Sequence, residues 1–139
     1  MSKKSLYIIV AGCGRLGASM AGFFSKEGHS VVIIDKDIKS FENLPPEFTG
    51  FKIQGDVVEL ENLKNAQIKK ANVFLALTND DNTNFLISQV AKNIYRVPKV
   101  VARVYDPENI ELFESFNIDI ICPMKLAMER LIEEFKEVI

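Results

Sequence analysis

Short apolar runs rich in β-branched residues alternate along the chain with stretches whose apolar positions recur at helical spacing. The runs are LYIIVA (6–11), SVVIID (30–35), FKIQ (51–54), NVFLAL (72–77), KVVARV (99–104) and IDIIC (118–122). Helical stretches fall at 15–27, 37–43, 58–66, 81–95, 107–116 and 124–138, the second of them short and weak. Residues 8–11 and 73–77 are apolar without a period of two, the pattern of strands buried on both faces of a parallel sheet. Strand–helix alternation builds βαβ units with right-handed crossovers. The chain therefore reads as a single α/β domain over residues 1–139, a doubly wound parallel six-stranded sheet.

The punctuation agrees. Gly28 follows the first helix in KEGHS, where a left-handed residue ends a helix most easily. Pro45 and Pro46 in LPPEFTG cannot continue a helix and mark a loop. TNDDN at 78–82 places several cap residues before FLISQVA, so Asp80 and Asp81 are expected as caps rather than metal ligands. Asp106 and Pro107 form a cap and first helical residue, and Pro123 is expected to open the last helix the same way. No repeat, low-complexity tract or interdomain linker interrupts the pattern.

The first crossover carries the candidate chemistry. Gly12, Gly14 and Gly17 complete G-x-G-x-x-G between the first strand and the first helix. The first glycine permits a tight turn, the second lets a pyrophosphate approach the backbone, and the third lets helix and strand pack closely. Free N–H groups and the dipole at the helix start then favour an anion. Asp35 ends the second strand, 18 residues past Gly17, where a carboxylate accepts ribose hydroxyls. The combination predicts a Rossmann-like nucleotide site. Asp35 would repel a 2′-phosphate and so favours NAD or another unphosphorylated adenosine ribose, with Lys36 beside it working slightly the other way.

Composition acts by exclusion. The chain has 139 residues, with 17 basic and 19 acidic side chains well mixed and a net charge of −2. No basic stripe marks a nucleic-acid partner. The opening MSKK is basic, but the apolar run after it breaks at glycine, too short for a signal peptide or a membrane span. A soluble, cytoplasmic protein is expected. Cys13 and Cys122 are the only cysteines and His29 the only histidine, which argues against a zinc site and for free cytosolic thiols. His29 falls in a turn before the second strand and is expected to be solvated. Cys13 lies inside the glycine loop, where its small side chain is expected to pack.

Further motifs continue past the first crossover. GCGRLG, VVIIDKD, GD at 55–56, ALTNDDNTN, VARVYDPEN and the final helix together resemble the regulator of potassium conductance (RCK) family, the Trk/Ktr potassium-uptake domains often called TrkA-N. The resemblance covers about residues 6 to 138. It implies a Rossmann-like domain that binds NAD(H) or an adenine nucleotide (ATP, ADP or AMP) and gates a membrane potassium transporter or channel. It places Gly12, Cys13, Gly14, Arg15, Leu16 and Gly17 in the phosphate loop and Asp35, with Lys36 beside it, at the adenosine ribose. Asp56 and Val57 would flank the adenine, Thr78, Asn79 and Asp80 would line the mouth after the fourth strand, and Arg103 would reach the phosphates. GDVV departs from the small Ala-Thr or Cys-Thr that often follows GD in the family.

The last helix carries Met124, Ala127, Met128, Leu131, Ile132, Phe135, Val138 and Ile139 on one stripe. Such a stripe either packs on its own sheet or meets another subunit. The resemblance implies a helix that crosses to a partner, so residues 124–139 are expected to mediate a homodimer or higher homo-oligomer. Two classes of function remain: a regulatory nucleotide-binding subunit at a membrane potassium-translocating protein, or an NAD-dependent dehydrogenase lacking its catalytic domain. Hydride transfer needs a substrate pocket and usually an acid/base beside the nicotinamide. No Tyr-x-x-x-Lys dyad or placed histidine supplies one, which favours the regulator and no enzymatic activity.

Overall fold

In the computed structural model, which describes residues 4–139, all six expected strands form. They are β1 (Tyr7–Ala11), β2 (Ser30–Asp35), β3 (Phe51–Gln54), β4 (Val73–Ala76), β5 (Lys99–Arg103) and β6 (Asp119–Ile121). Every pairing is parallel and the order across the sheet is β3-β2-β1-β4-β5-β6. The chain thus leaves β1 in one direction through β2 and β3, then returns to start the other half with β4. This is the Rossmann-like arrangement, and its topological switch point lies between β1 and β4.

Two apolar layers explain the uninterrupted runs. Ile9 and Ala11 of β1 belong to one buried cluster, with Val32, Ile34, Phe74, Ala76, Val100 and Ala102. Ile8 and Val10 belong to the other, with Val31, Ile33, Leu75 and Leu77. Leu63 of α2 (Leu60–Asn65), Ile87 of α3 (Asp81–Gln89) and Phe113 of α4 (Ile110–Ser115) complete the first layer. Ala18 and Ala21 of α1 (Arg15–Lys26), with Phe41, Leu44 and Phe48, complete the second. Successive strand residues face opposite layers, so a strand buried on both sides has no polar position to spare.

Element boundaries follow local chemistry. Gly28 adopts φ +90° just past α1. The weak stretch at 37–43 is a 3-10 helix, Ile38–Asn43, whose start is capped when Asp37 accepts a bond from the Lys39 N–H. The long stretch at 81–95 is α3 followed by a π-helical turn, Val90–Ile94. Asp106 caps a 3-10 turn, Pro107–Asn109, which leads into α4. His29 corrects one expectation: it is half-buried, its Nδ1 accepts the Leu6 N–H at 3.0 Å, and its ring meets Phe24 edge-on. It ties the entries of β1 and β2 together at the amino ends of the strands. Both cysteines are free and buried.

The last helix, α5 (Pro123–Glu134), stands apart. None of its residues from Met124 onward is buried, and Leu131 and Phe135 are 59% and 52% exposed. Of the two ways to satisfy its apolar stripe, packing on its own sheet is the one the fold does not use. Among the described residues no helix is long and apolar enough to cross a membrane.

Candidate functional site

The three glycines of the first turn have three different reasons. Gly12 has φ +107°, and a Cβ there would sit 2.6 Å from the Leu77 carbonyl oxygen, so the chain passes the end of β4 too closely for any side chain. A Cβ on Gly17 would lie 1.9 Å from the Gly12 oxygen, which makes this position the contact between α1 and the turn. Gly14 differs. It is the N-cap residue of α1, and a Cβ there would meet nothing within 4 Å. Its missing side chain leaves open space at the helix start, where the first N–H groups lack intrahelical acceptors and the dipole is positive.

That space belongs to a cavity of about 870 Å³ along the carboxyl ends of the strands. It is large enough for a nucleotide by the usual range for ligand pockets, roughly 300–1,000 Å³. Gly12, Gly14, Arg15, Leu16, Asp35, Lys36, Asp56, Val57, Thr78, Asn79, Asp80 and Arg103 line it together. Cys13 and Gly17 shape the loop without lining the cavity. The Cys13 side chain is fully buried, its Sγ–H reaches the Ser40 oxygen at 3.4 Å, and burial pushes the thiol up to about 11. It stays a neutral thiol at physiological pH.

Asp35 closes the other side of the loop. Its Oδ2 accepts the Cys13 N–H at 2.7 Å and its Oδ1 accepts the Asp37 N–H at 2.8 Å. Each oxygen of a carboxylate can accept about two bonds, so one acceptor position per oxygen stays available to a ligand. The same carboxylate therefore fixes the glycine loop and presents itself to the cavity.

The wall at β4 and β5 is built by two residues of α3. Asn84 is fully buried. Its Oδ1 accepts both the N–H and the hydroxyl of Thr78, at 3.0 and 2.6 Å, and its Nδ2 donates to the carbonyls of Thr78 and Arg103, both at 3.0 Å. Asp81 reaches across instead of capping its own helix. It accepts the N–H groups of Tyr105 (2.7 Å) and Asp106 (3.0 Å) and the Asn109 amide (2.9 Å). Asp80 takes the N-cap position, but its carboxylate accepts the Thr83 hydroxyl rather than a backbone N–H. Arg103 lies over the Tyr105 ring, 4.1 Å from its centroid. Its buried Nε is one of the few buried side-chain polar atoms without a hydrogen-bond partner among the described residues.

Burial acts to raise the pKa of Asp81, but the Tyr105 and Asp106 N–H groups, the Asn109 amide and the nearby Arg103 charge outweigh it and hold the carboxyl below its ordinary value near 3.8. Deprotonated Asp81 is thus favoured more in the folded than in the unfolded chain, and its contribution to stability is complete at higher pH. It should be lost as pH falls from about 4 through the lower folded value. Thermal melts of wild type and Asp81→Asn between about pH 3 and 6 should differ by a constant amount at the upper end and converge at the lower. A gap that widens toward low pH would show that the sign is wrong.

An anion at Gly14 and Arg103 fits this site. The glycine leaves a space bounded by helix N–H groups, and Arg103 lines the same cavity with its positive charge. Comparison with known proteins agrees with the fold. The profile of the TrkA-N domain matches residues 8–123. The chain belongs to the TrkA-N domain family. It is 31% identical over 127 residues to the Trk system potassium uptake protein TrkA of Streptomyces coelicolor, covering 91% of this chain and 57% of that protein. It is 33% identical over 131 residues to a TrkA homolog of Methanothermobacter thermautotrophicus, covering 91% and 60%. It also superposes on a structure of the GsuK channel bound to NAD with a TM-score of 0.81 at 23% identity, covering 99% of this chain and 25% of that one. The chain spans somewhat under two thirds of the two potassium uptake relatives.

Within this TrkA-N domain, Asn84 and Tyr105 fall inside the motifs ALTNDDNTN and VARVYDPEN without an expected role of their own, and Asp81 reads there only as a cap. A signal for Asn84 existed. Residues 84, 87, 88 and 91 fall at helical spacing on the buried face of α3 and its π-turn, and Asn84 is the amide on that stripe. A buried amide needs partners for both ends, and strand ends at a nucleotide crevice offer them.

Proposed function

We propose that this chain is the nucleotide-sensing domain of a regulatory protein that binds NAD(H) or an adenine nucleotide and gates membrane potassium transport. The observation that carries the reading is a single cavity at the switch point with an anion cradle at Gly14 and Arg103 and a fixed carboxylate, Asp35, beside it. A nucleotide has the matching chemistry: phosphates for the helix start and arginine, ribose hydroxyls for Asp35, and a base for the walls at Asp56 and Val57. The relatives, potassium uptake proteins, and the NAD-bound channel of similar fold support potassium transport and a nicotinamide or adenine nucleotide.

The function is binding rather than catalysis. His29 lies at the amino ends of the strands, away from the cavity, so no imidazole stands beside a nicotinamide. Regulation requires that two conformations differ in nucleotide affinity and that a membrane partner prefers one of them. Pro123, the first residue of α5, lines the cavity. The helix bearing the free apolar stripe therefore starts at the wall of the nucleotide site, which gives occupancy a route to a second copy of the chain and to the membrane protein. The working place is the cytoplasmic side of that protein.

The direct test is mass spectrometry of ligand released from the purified protein, followed by calorimetry with NAD, NADH, ATP, ADP and AMP. Asp35→Ala sharpens it. A charge-assisted hydrogen bond contributes about 1.5–3 kcal/mol, so the variant should bind NAD and adenine nucleotides roughly ten- to a hundredfold more weakly. NADP, which the carboxylate repels, should lose much less or gain. Equal losses for NAD and NADP would remove Asp35 from the ribose.

A further inference from the structure

We infer that Asp81 and Asn84, neither of which needs to touch the ligand, are the positioning residues that aim Arg103 at the nucleotide phosphates. The inference rests on the nucleotide reading of the cavity. Arginine carries three rotatable bonds beyond Cβ, and a long cation free to sample solvent would be a poor anion receptor. Here its placement is determined from both ends. Asn84 holds the Arg103 carbonyl and, through the same amide group, the N–H, carbonyl and hydroxyl of Thr78, so the ends of β5 and β4 are tied at a fixed separation. Asp81 holds the N–H groups of Tyr105 and Asp106 and the Asn109 amide, which fixes the turn after β5. The Tyr105 ring, carried on that turn, is the platform on which the Arg103 guanidinium lies at 4.1 Å.

The chain of contacts runs from Asp81 through the Tyr105 backbone to its ring and then to the guanidinium. Arg103 meanwhile keeps its Nε–H buried and unpaired. Arg103 itself lines the cavity, so a guanidinium held against the Tyr105 ring presents a positive charge of fixed position to an anion there. Asp81 and Asn84 sit one turn apart on α3, which makes the first turn of this helix the clamp that couples both strand ends. Neither residue lines the cavity; Asn84 acts through the backbone it holds, and Asp81 acts through the turn it fixes and through its charge beside Arg103.

Asp81→Asn tests this: the amide is the same size as the carboxylate, but it keeps one accepting oxygen where two accept now and carries no charge beside Arg103. In the free protein, the Arg103 Nε–H resonance should exchange with water faster in the variant than in wild type. ADP affinity should fall by roughly three- to tenfold, the loss of one weakened polar contact, while adenosine, which lacks phosphates, should change by less than about twofold. On an Arg103→Ala background, Asp81→Asn should cause no further loss of ADP affinity. A purely structural role would weaken ADP and adenosine alike, add fully to Arg103→Ala and leave the Nε–H exchange unaltered; any of these overturns the inference. If wild type binds no ADP at all, the nucleotide reading fails and the phosphate role of the clamp fails with it. If Arg103→Ala weakens ADP and Asp81→Asn does not, the clamp alone fails. Asp81→Glu, which restores both oxygens, should recover part of the ADP affinity.

Discussion

Gly14→Val is expected to give a folded domain that has lost nucleotide binding. The backbone there has φ −76° and ψ −166°, an extended conformation that valine adopts readily, and the space beyond Cα is empty. The substitution therefore strains nothing in the free protein. Its isopropyl group stands where phosphate oxygens would meet the helix N–H groups, and exclusion from that position should weaken ADP and NAD by roughly a hundredfold or more. Gly17→Ala supplies the contrast three residues on. Its Cβ would lie 1.9 Å from the Gly12 oxygen and 3.4 Å from Val10, so the helix or the turn has to move. Overpacking of this kind costs about 3 kcal/mol, a large share of a total stability of roughly 5–15 kcal/mol. Calorimetry and circular dichroism on the two variants should separate completely: one folded and unable to bind, the other destabilised. Unchanged nucleotide affinity in folded Gly14→Val would reduce the glycine loop to a packing device.

The fold was legible because its signals are local and redundant. Each buried strand announces itself by an unbroken apolar run, each helix by periodicity, and the glycine spacing together with Asp35 locates the switch point. The loop side of the site was legible for the same reason: Gly14 and Asp35 act from adjacent βα units. The β5 side was less so. Asp81 reads as a cap because an aspartate before an apolar helical run usually is one, yet it spends its oxygens on the turn after β5, 24 residues away. Two of its three partners are backbone N–H groups, which leave no imprint on sequence. Asn84 could have been found from its place on the buried stripe of α3, and His29 could not, since a ring nitrogen accepting a backbone N–H looks like any turn histidine. The π-helical turn at Val90–Ile94 likewise has no marker in VAKNI.

The apolar stripe of α5 and the turns that follow it leads to the other large effect: the protein should be a homodimer at micromolar concentration, and Leu131→Lys combined with Phe135→Glu should make it a folded monomer. Met124, Met128, Leu131, Ile132, Phe135 and Val138 are each at least half exposed in the single chain. Monomeric proteins rarely leave so continuous an apolar surface in water, and a second copy of the same helix offers a matching one, as a two-fold interface requires. Methionines at two of these positions suit a contact that has to adapt between conformations. The outcome for folding follows from the same exposures. With Leu131 and Phe135 59% and 52% exposed, neither lysine nor glutamate would be buried in the isolated domain, so melting should shift by no more than about 0.5 kcal/mol of stability. Nucleotide binding should persist, because Gly14, Asp35 and Arg103 all lie on other elements. Light scattering and circular dichroism on one sample decide the matter. A wild-type monomer would remove the dimer, and an unfolded double variant would mean that α5 packs on its own domain after all. A folded monomer that still binds ADP would leave the nucleotide site and the association surface as separable parts joined at Pro123, the arrangement a nucleotide-gated assembly needs.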